Sequence, residues 1–342
     1  MSGKVRSMVD SVGFATTAEQ MDAVVARIRA EAAAAQCEDS IADVEKPAWR
    51  VAVCPHDDYT YVGRYYMSLL RHVKAKTIFF FGVAHRARLL NLENDVIFDA
   101  YDAWAMPYGP VKVSPLREEL MAELPTDVYQ VHEEMQRIEH SIEAIIPFLQ
   151  YFNRDIEIVP IVVPYMSFAR MEHIASVLGP AIGRVAGKHQ LEWGTDYAVV
   201  ISTDAVHYGD EDWGPGKTYA EFGVDKKGYE LAVQHEHRII GDCLKGELSV
   251  ARMKAFNDYT ICAEDYREYK WTWCGRYSVP CGLLTSYFLQ QSLKAATLSG
   301  TLVSYGTSVD GRAHIPVEDI AMGTTAPANL RHWVGYASVG YE

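Results

Sequence analysis

Four short, unbroken apolar runs constrain this chain most: "WRVAVC", "TIFFFGV", "IEIVPIVV" and "YAVVIS". Each is shorter than an ordinary helix and rich in Val, Ile or Phe, the composition of a strand buried on both faces. Segments with helical spacing alternate with them. "TTAEQMDAVVARIRAEAAAAQ" places Met21, Val24, Val25 and Ile28 on one face, with Thr16 and Glu19 as a capping box. "HSIEAIIPFLQYF" brings Ile142, Ile145, Ile146 and Leu149 to one side, and "MEHIASVLGPAIGRVAG" and "KKGYELAVQHEHRIIGDCLKG" follow the third and fourth runs. A later helix, "VPCGLLTSYFLQQSLKAA", has Pro280 in its first turn, and "TLVSYGTSV" and "WVGYASVGY" read as the last strands. The alternation predicts an α/β fold with a central mostly parallel or mixed sheet and helices on both faces. With no repeat and no low-complexity linker, one domain over 1–342 is expected, with an N-terminal helical segment (1–45) packed on it.

The formal charge of −13 repels phosphate backbones and no basic stripe offsets it, so nucleic acid is not an expected partner. No apolar stretch reaches the roughly 20 residues that span a bilayer, and "MSGKVRSMVD" lacks the apolar core of a signal peptide. No membrane association and a cytoplasmic location are the expectations. The six cysteines, Cys37, Cys54, Cys243, Cys262, Cys274 and Cys281, form no C-x-x-C pair, which argues against a zinc knuckle or a disulfide framework. Small molecules and metal ions remain as ligands.

The chemistry gathers where strands end. "VAVCPHDDY" leaves its strand at His56, followed by Asp57 and Asp58; "TIFFFGVAHR" runs into His85; "YAVVISTDAVHYGD" runs into Asp204 and His207. A single His after a strand is usually a turn residue, and Asp57 or Asp58 alone could cap a turn. Three such exits are different, because the carboxyl ends of parallel strands form the crevice in which α/β proteins bind ligands. Neutral imidazoles are common ligands of iron, zinc and copper, and two His plus an anionic donor leave positions open for substrate and O2. Ser141 reads as an N-cap, so Glu139 and His140 sit at a helix start, where they either project into the crevice or form a capping box and a surface His. Cys274 lies in a glycine-containing loop before a helix, where the alternatives are an exposed thiolate and a buried inert thiol. His235 and His237 face different directions on a helix and read as surface residues.

In order along the chain, "PHDDYTYVG", "FFFGVAHR", "IEHSIEAIIPF", "VISTDAVHYG", "CGRYSV", "SYGTS" and "VGYAS" resemble the ordered motifs of the Memo family, which includes the AmmeMemoRadiSam system protein B group. The resemblance implies a fold similar to class III (LigB-type) extradiol dioxygenases, non-haem iron enzymes that open aromatic diols. It also implies a metal pocket in which His56, His85 and Cys274 match the ligand positions, with Asp204 and His207 alongside. The chain departs from the family pattern at Asp57-Asp58, where small residues are usual, at Arg86 after the second His, at Tyr277 in place of a His, and in a blurred N-terminal "SVGFAT". A carboxylate at 57 or 58 would add negative charge beside the pocket, and as a ligand would suit a harder cation such as Fe(II).

Three functions follow from that pocket. The first is a dioxygenase-like oxidoreductase with Fe(II), copper or zinc being the alternative metals, in which His207 is the general base and Glu139 and His140 orient a small aromatic-diol or enolisable substrate. An imidazole near neutrality suits that base role. The second is a metal-binding or redox-regulatory protein without turnover that docks a peptide or protein partner. The third is a metal-dependent hydrolase. Thiolate ligation by Cys274 counts against a standard extradiol mechanism and makes copper or zinc credible.

Overall fold

The computed structural model describes residues 3–34, 48–214, 217–311 and 314–342. The four apolar runs form strands β1 (Val51–Cys54), β2 (Thr77–Val83), β3 (Glu157–Val163) and β4 (Tyr197–Ser202), hydrogen-bonded in the order β3-β2-β4-β1 and all parallel. Strands β5 (Ser299–Thr307) and β6 (His332–Tyr341) extend the sheet beyond β1 in antiparallel sense. Past β3 lie short pieces, among them Val96–Phe98, antiparallel to it, and Val111–Val113, parallel to it. The result is a large mixed sheet with a parallel centre. Pro160 lies mid-strand in β3, where an N–H is normally required. It falls in the gap between those two pieces, which register with residues 161–162 and 157–158.

Side chains alternate across the sheet with the two-residue period of a strand. Ile78 and Phe80 of β2 join the apolar cluster on one face, and Phe79 and Phe81 join the cluster on the other. Helices α1 (Ala18–Ala34), α2 (Tyr59–Leu70) and α3 (Ile146–Phe152) cover the first face. Helices α4 (Phe168–Lys188), α5 (Lys226–Ile239) and α6 (Ser278–Leu293) cover the second. Helices on both faces of a mixed sheet are what the alternation of patterns requires. Met21, Val24, Val25 and Ile28 of α1 are buried in the first cluster. The expected continuation of that helix to Gln36, and Cys37, lie outside the described residues. Among the described residues, no helix is long and apolar enough to cross a membrane, and the five cysteines are free thiols.

Two expected caps are corrected. The box at α1 is shifted by one residue: Thr17 Oγ1 accepts the Gln20 N–H at 3.2 Å, while Gln20 Oε1 accepts the Thr16 and Thr17 N–H groups. Gln20 reaches back where Glu19 cannot, because it is three residues from Thr17. Ser141 caps no helix. Residues 141–145 form turns, α3 begins at Ile146 with Pro147 in its first turn, and Ser141 Oγ donates to the Val83 carbonyl and accepts the Val83 N–H, both at 3.0 Å. The α2 helix has no counterpart in the sequence reading. Ten of its 12 residues are buried, so no polar stripe marks it.

Candidate metal centre

Because β2, β4 and β1 are parallel neighbours, their carboxyl ends lie side by side on one edge of the sheet. His85 follows β2, Asp204 and His207 follow β4, and His56 follows β1. The His56 and His85 rings meet edge to face with centroids 5.1 Å apart, and His140 stacks on His85 at 4.9 Å. Cys274 arrives from the loop before α6. Its Sγ is 3.4 Å from His56 Nε2 and accepts the Asp204 N–H at 3.0 Å. Gly275 permits this approach: its N–H donates to Thr203 Oγ1 at 3.0 Å, and a Cβ there would stand 2.2 Å from that oxygen.

Donor atoms of His56, His85 and Cys274 all lie within 4.8 Å of one another, as do those of His85, Glu139 and His140, and those of Asp204, His207 and Cys274. The three groups share residues and form one continuous cluster. Two of the histidines are held by their Nδ1 atoms. Ser202 Oγ gives its single proton to the Ser141 carbonyl at 2.7 Å, so at 2.6 Å it must accept from His56 Nδ1–H, which leaves the Nε2 lone pair facing Cys274. His85 Nδ1 lies 2.9 Å from Glu139 Oε1, and the same carboxylate accepts the backbone N–H groups of His85, His140 and Ser141. Burial works against ionisation of Glu139, but His85, His140 and these N–H groups win and bring it down to about 2. An ionised Glu139 accepts from Nδ1–H, and in the neutral ring that tautomer puts the lone pair on Nε2. Carboxylate or hydroxyl partners behind metal-binding imidazoles fix the tautomer in this way.

Burial first, and then mutual repulsion, push His56 well below the usual histidine range and His140 to about 4. Burial likewise takes His207 down to about 3, and its Nε2 is buried with no hydrogen-bond partner among the described residues. These imidazoles are neutral at pH 7, the form that binds metals. Desolvation makes His207 a weaker proton acceptor than an ordinary imidazole. Asp204 has the carboxyl nearest neutrality at the cluster, raised by burial to about 7 although it accepts the His56 N–H at 2.9 Å. Cys274 is buried, and that burial, with Asp204 beside it, lifts its thiol well above the ordinary cysteine value. A cation among these donors would reverse that preference. The donor set fits a first-row transition metal: neutral lone pairs, a thiol and an orphaned buried imidazole nitrogen converge where positive charge would satisfy them.

Asp57 and Asp58 are turned to other partners. Asp57 Oδ2 accepts from the Tyr336 hydroxyl at 2.5 Å and its Oδ1 from the Asp58 N–H at 2.7 Å. The Asp58 carboxylate accepts the Thr325 N–H at 2.6 Å and its hydroxyl. Neither belongs to the three donor groups. Burial and then neighbouring carboxylates raise both, so they do not contribute two full negative charges. His237 is exposed as expected, whereas His235 is half-buried with its ring 4.6 Å from Trp271.

A cavity of about 440 Å3 opens beside the cluster, lined by His85 and Cys274 and also by Tyr165, Tyr219, Tyr269 and Arg276. Arg86 lies away from it, on a second cavity beside the N-terminal segment. Ser202, Glu236 and Arg276 were not singled out from the sequence. Glu236 accepts both indole N–H groups of Trp271 and Trp273 and the Val206 N–H, joining the loop that carries Cys274 to the strand exit that carries His207. "CGR" was the visible signal for Arg276 and "VISTDAVHYG" contains Ser202, while nothing in the sequence marked Glu236.

The family model for Memo-like proteins matches residues 19–317, a span that contains every residue of the donor cluster. A MEMO1 family protein of Methanosarcina barkeri is 32% identical over 163 residues, 46% of this chain and 54% of that protein. One of Aquifex aeolicus is 28% identical over 167 residues, 48% and 56% of the two chains. This chain thus spans about half the length of these two relatives, while the match to one of Thermococcus kodakarensis, at 26% identity over 298 residues, covers 85% of this chain and 86% of the other. By the extent of the family match, with relatives of the same family beside it, this chain belongs to the Memo-like protein family.

Proposed function

We propose that the cluster is a metal centre in which His56, His85 and Cys274 hold a redox-active first-row ion, Fe(II) in first place and copper or zinc as the alternatives, and that the protein is an oxidoreductase acting on a small substrate in the adjoining cavity. One observation carries the reading: one donor atom each of His56, His85 and Cys274 lie within 4.8 Å of one another, and His56 Nε2, bared by Ser202 on Nδ1, is 3.4 Å from Cys274 Sγ. Such an ion, when bound, supplies Lewis acidity and, if redox-active, electron transfer to a ligand at an open position. The rest is done by the chain. Ser202 and Glu139 orient the ligating imidazoles. Asp204, near neutrality and beside His56, exchanges a proton with a substrate hydroxyl more readily than His207 does. Half-buried His207 binds or positions beside Asp204 and Cys274, whose donor atoms lie within 4.8 Å of its own. His140, stacked on His85 at 4.9 Å, holds the plane of that ligating ring. A dioxygenase-type reaction resembling that of LigB-type enzymes is the form of turnover we infer, in a cytoplasmic protein of one domain.

Metal-free protein is reconstituted anaerobically and its metal content measured beside His56→Ala, His85→Ala and Cys274→Ser. Near-stoichiometric iron or copper in the parent, lost in each variant, is the expected result. Equal metal in parent and variants, or none in any, overturns the assignment. Oxygen uptake with diols and other enolisable compounds then separates turnover from metal storage. The thiol donor favours a second reading, a copper- or zinc-binding regulatory protein without turnover, because sulfur is a soft ligand. Tight metal binding with no consumption of O2 under any substrate selects it.

A further inference from the structure

Three arginines are buried among the described residues: Arg6, Arg117 and Arg276. Arg6 pairs with Glu143 at 2.5 Å and Arg117 with Asp99 at 2.5 Å. Arg276, 6% exposed, has no carboxylate partner among the described residues. Its Nη2 donates to the Arg267 carbonyl at 3.2 Å, while Nε is buried with no acceptor among the described residues. Its guanidinium carbon lies over aromatic rings, 3.4 Å from the centroid of Tyr269 and 4.5 Å from that of Tyr277. These faces stabilise a cation, but they supply no counter-charge.

A buried guanidinium without an anion is unfavourable unless a ligand brings one. Arg276 lines the cavity that His85 and Cys274 also line. Two other arginines on that wall are already neutralised, Arg88 by Glu268 at 3.0 Å and Arg267 by Glu93 at 2.8 Å. Lys217 stands exposed at the rim, where water solvates its ammonium. The wall of the cavity therefore carries one planar positive group that no carboxylate among the described residues neutralises, which matches a single negative charge carried on a planar fork. On the reading that the donor cluster holds the reacting metal, we infer that Arg276 anchors the carboxylate of a small organic acid whose other end reaches His85 and Cys274. At about 440 Å3, the cavity is of the size that takes a small molecule. Tyr277, where the family pattern has a His, is part of the aromatic surface that holds the guanidinium in place.

The test uses the full chain, metal-free and iron-loaded, titrated with benzoate, with its neutral isostere benzamide and with phenyl phosphate, binding being followed by ligand-observed NMR. Benzoate is expected to bind at least tenfold more tightly than benzamide in both metal states. Arg276→Met should abolish that preference, and without ligand it should melt no lower than the parent, because the charge it removes has no protein counter-ion. If Arg276→Met does not fold, Arg276→Lys decides: it keeps the charge, loses the fork, and should weaken benzoate at least tenfold. Equal binding of benzoate and benzamide, or a preference that survives either replacement, overturns the anchor. Phenyl phosphate binding more tightly than benzoate replaces the carboxylate with a phosphate and overturns the stated class. The two readings fail separately. Iron uptake without a benzoate preference removes the anchor and leaves the metal centre, and an Arg276-dependent preference in protein that takes up no metal does the reverse.

Discussion

At the scale of single residues, the centre depends on which nitrogen of each histidine carries the proton. For His56 that is settled by one hydroxyl, since Ser202 Oγ spends its proton on the Ser141 carbonyl and can only accept from Nδ1–H. Ser202→Ala frees the ring to change tautomer and rotate while leaving all three candidate ligands in place. Metal affinity in a chelator competition should fall roughly 10–100-fold with the circular dichroism spectrum unchanged. Affinity equal to the parent's would show that Ser202 does not hold His56. The histidines at the strand ends were legible because a parallel sheet aligns its carboxyl ends whatever the loops do, so His56, His85, Asp204 and His207 could be grouped from position alone. Ser202 was not, because it acts across the sheet from β4 onto the residue after β1, and no pattern within one strand records that. Cys274 was selected only by the family resemblance, and the low proton affinity of His207 follows from burial, which sequence does not give.

At the scale of elements, the apolar runs identified the four central strands almost to the residue, since an unbroken run of Val, Ile and Phe too short for a helix has few other uses. The same logic hid α2, whose tyrosines and valine resemble a strand and whose burial on nearly all sides removes the helical stripe. Between elements, Glu236 of α5 holds the Cys274 loop to the exit of β4 with three N–H bonds. Burial outweighs those bonds and raises Glu236 to about 7, against about 4.3 for a glutamate in an unfolded chain. The folded state therefore holds a proton that the unfolded chain releases between those values. Its contribution to stability is full below about pH 4.3 and declines as the pH rises through 7, by on the order of 4 kcal/mol in all. Glu236→Gln cannot ionise and also exchanges one acceptor for an N–H2 group, leaving a donor unpaired at a cost of about 1–3 kcal/mol. Urea unfolding of both proteins from pH 5 to 8 should show the parent's advantage shrinking as the pH rises. An advantage that is constant or grows would mean that Glu236 is ionised throughout.

At the scale of the whole molecule, the edge of the sheet that carries the donor cluster is bordered by the N-terminal segment. Residues 3–15 run across the turn region 136–144, and Arg6 is the fastening. It is fully buried, pairs with Glu143, donates from Nε to the Gln136 carbonyl at 2.7 Å and from Nη2 to the carbonyl of Glu139, and lies 4.1 Å from the ring of Trp104. Glu143 in turn accepts the N–H groups of Val9 and Asp10. The residue whose carboxylate orients His85 is thus held by its own carbonyl from the N-terminal segment. Removing one member of a fully buried ion pair strands the other charge in the interior, which costs roughly 3–5 kcal/mol. Arg6→Ala should therefore lower stability by about that amount in urea unfolding. It should also speed amide exchange through 136–144 and weaken metal binding without touching a ligand. A loss under about 1 kcal/mol, no more than an exposed pair contributes, together with unchanged exchange in 136–144, would mean that the turn region holds Glu139 by itself. The N-terminal segment would then cover the site without supporting it.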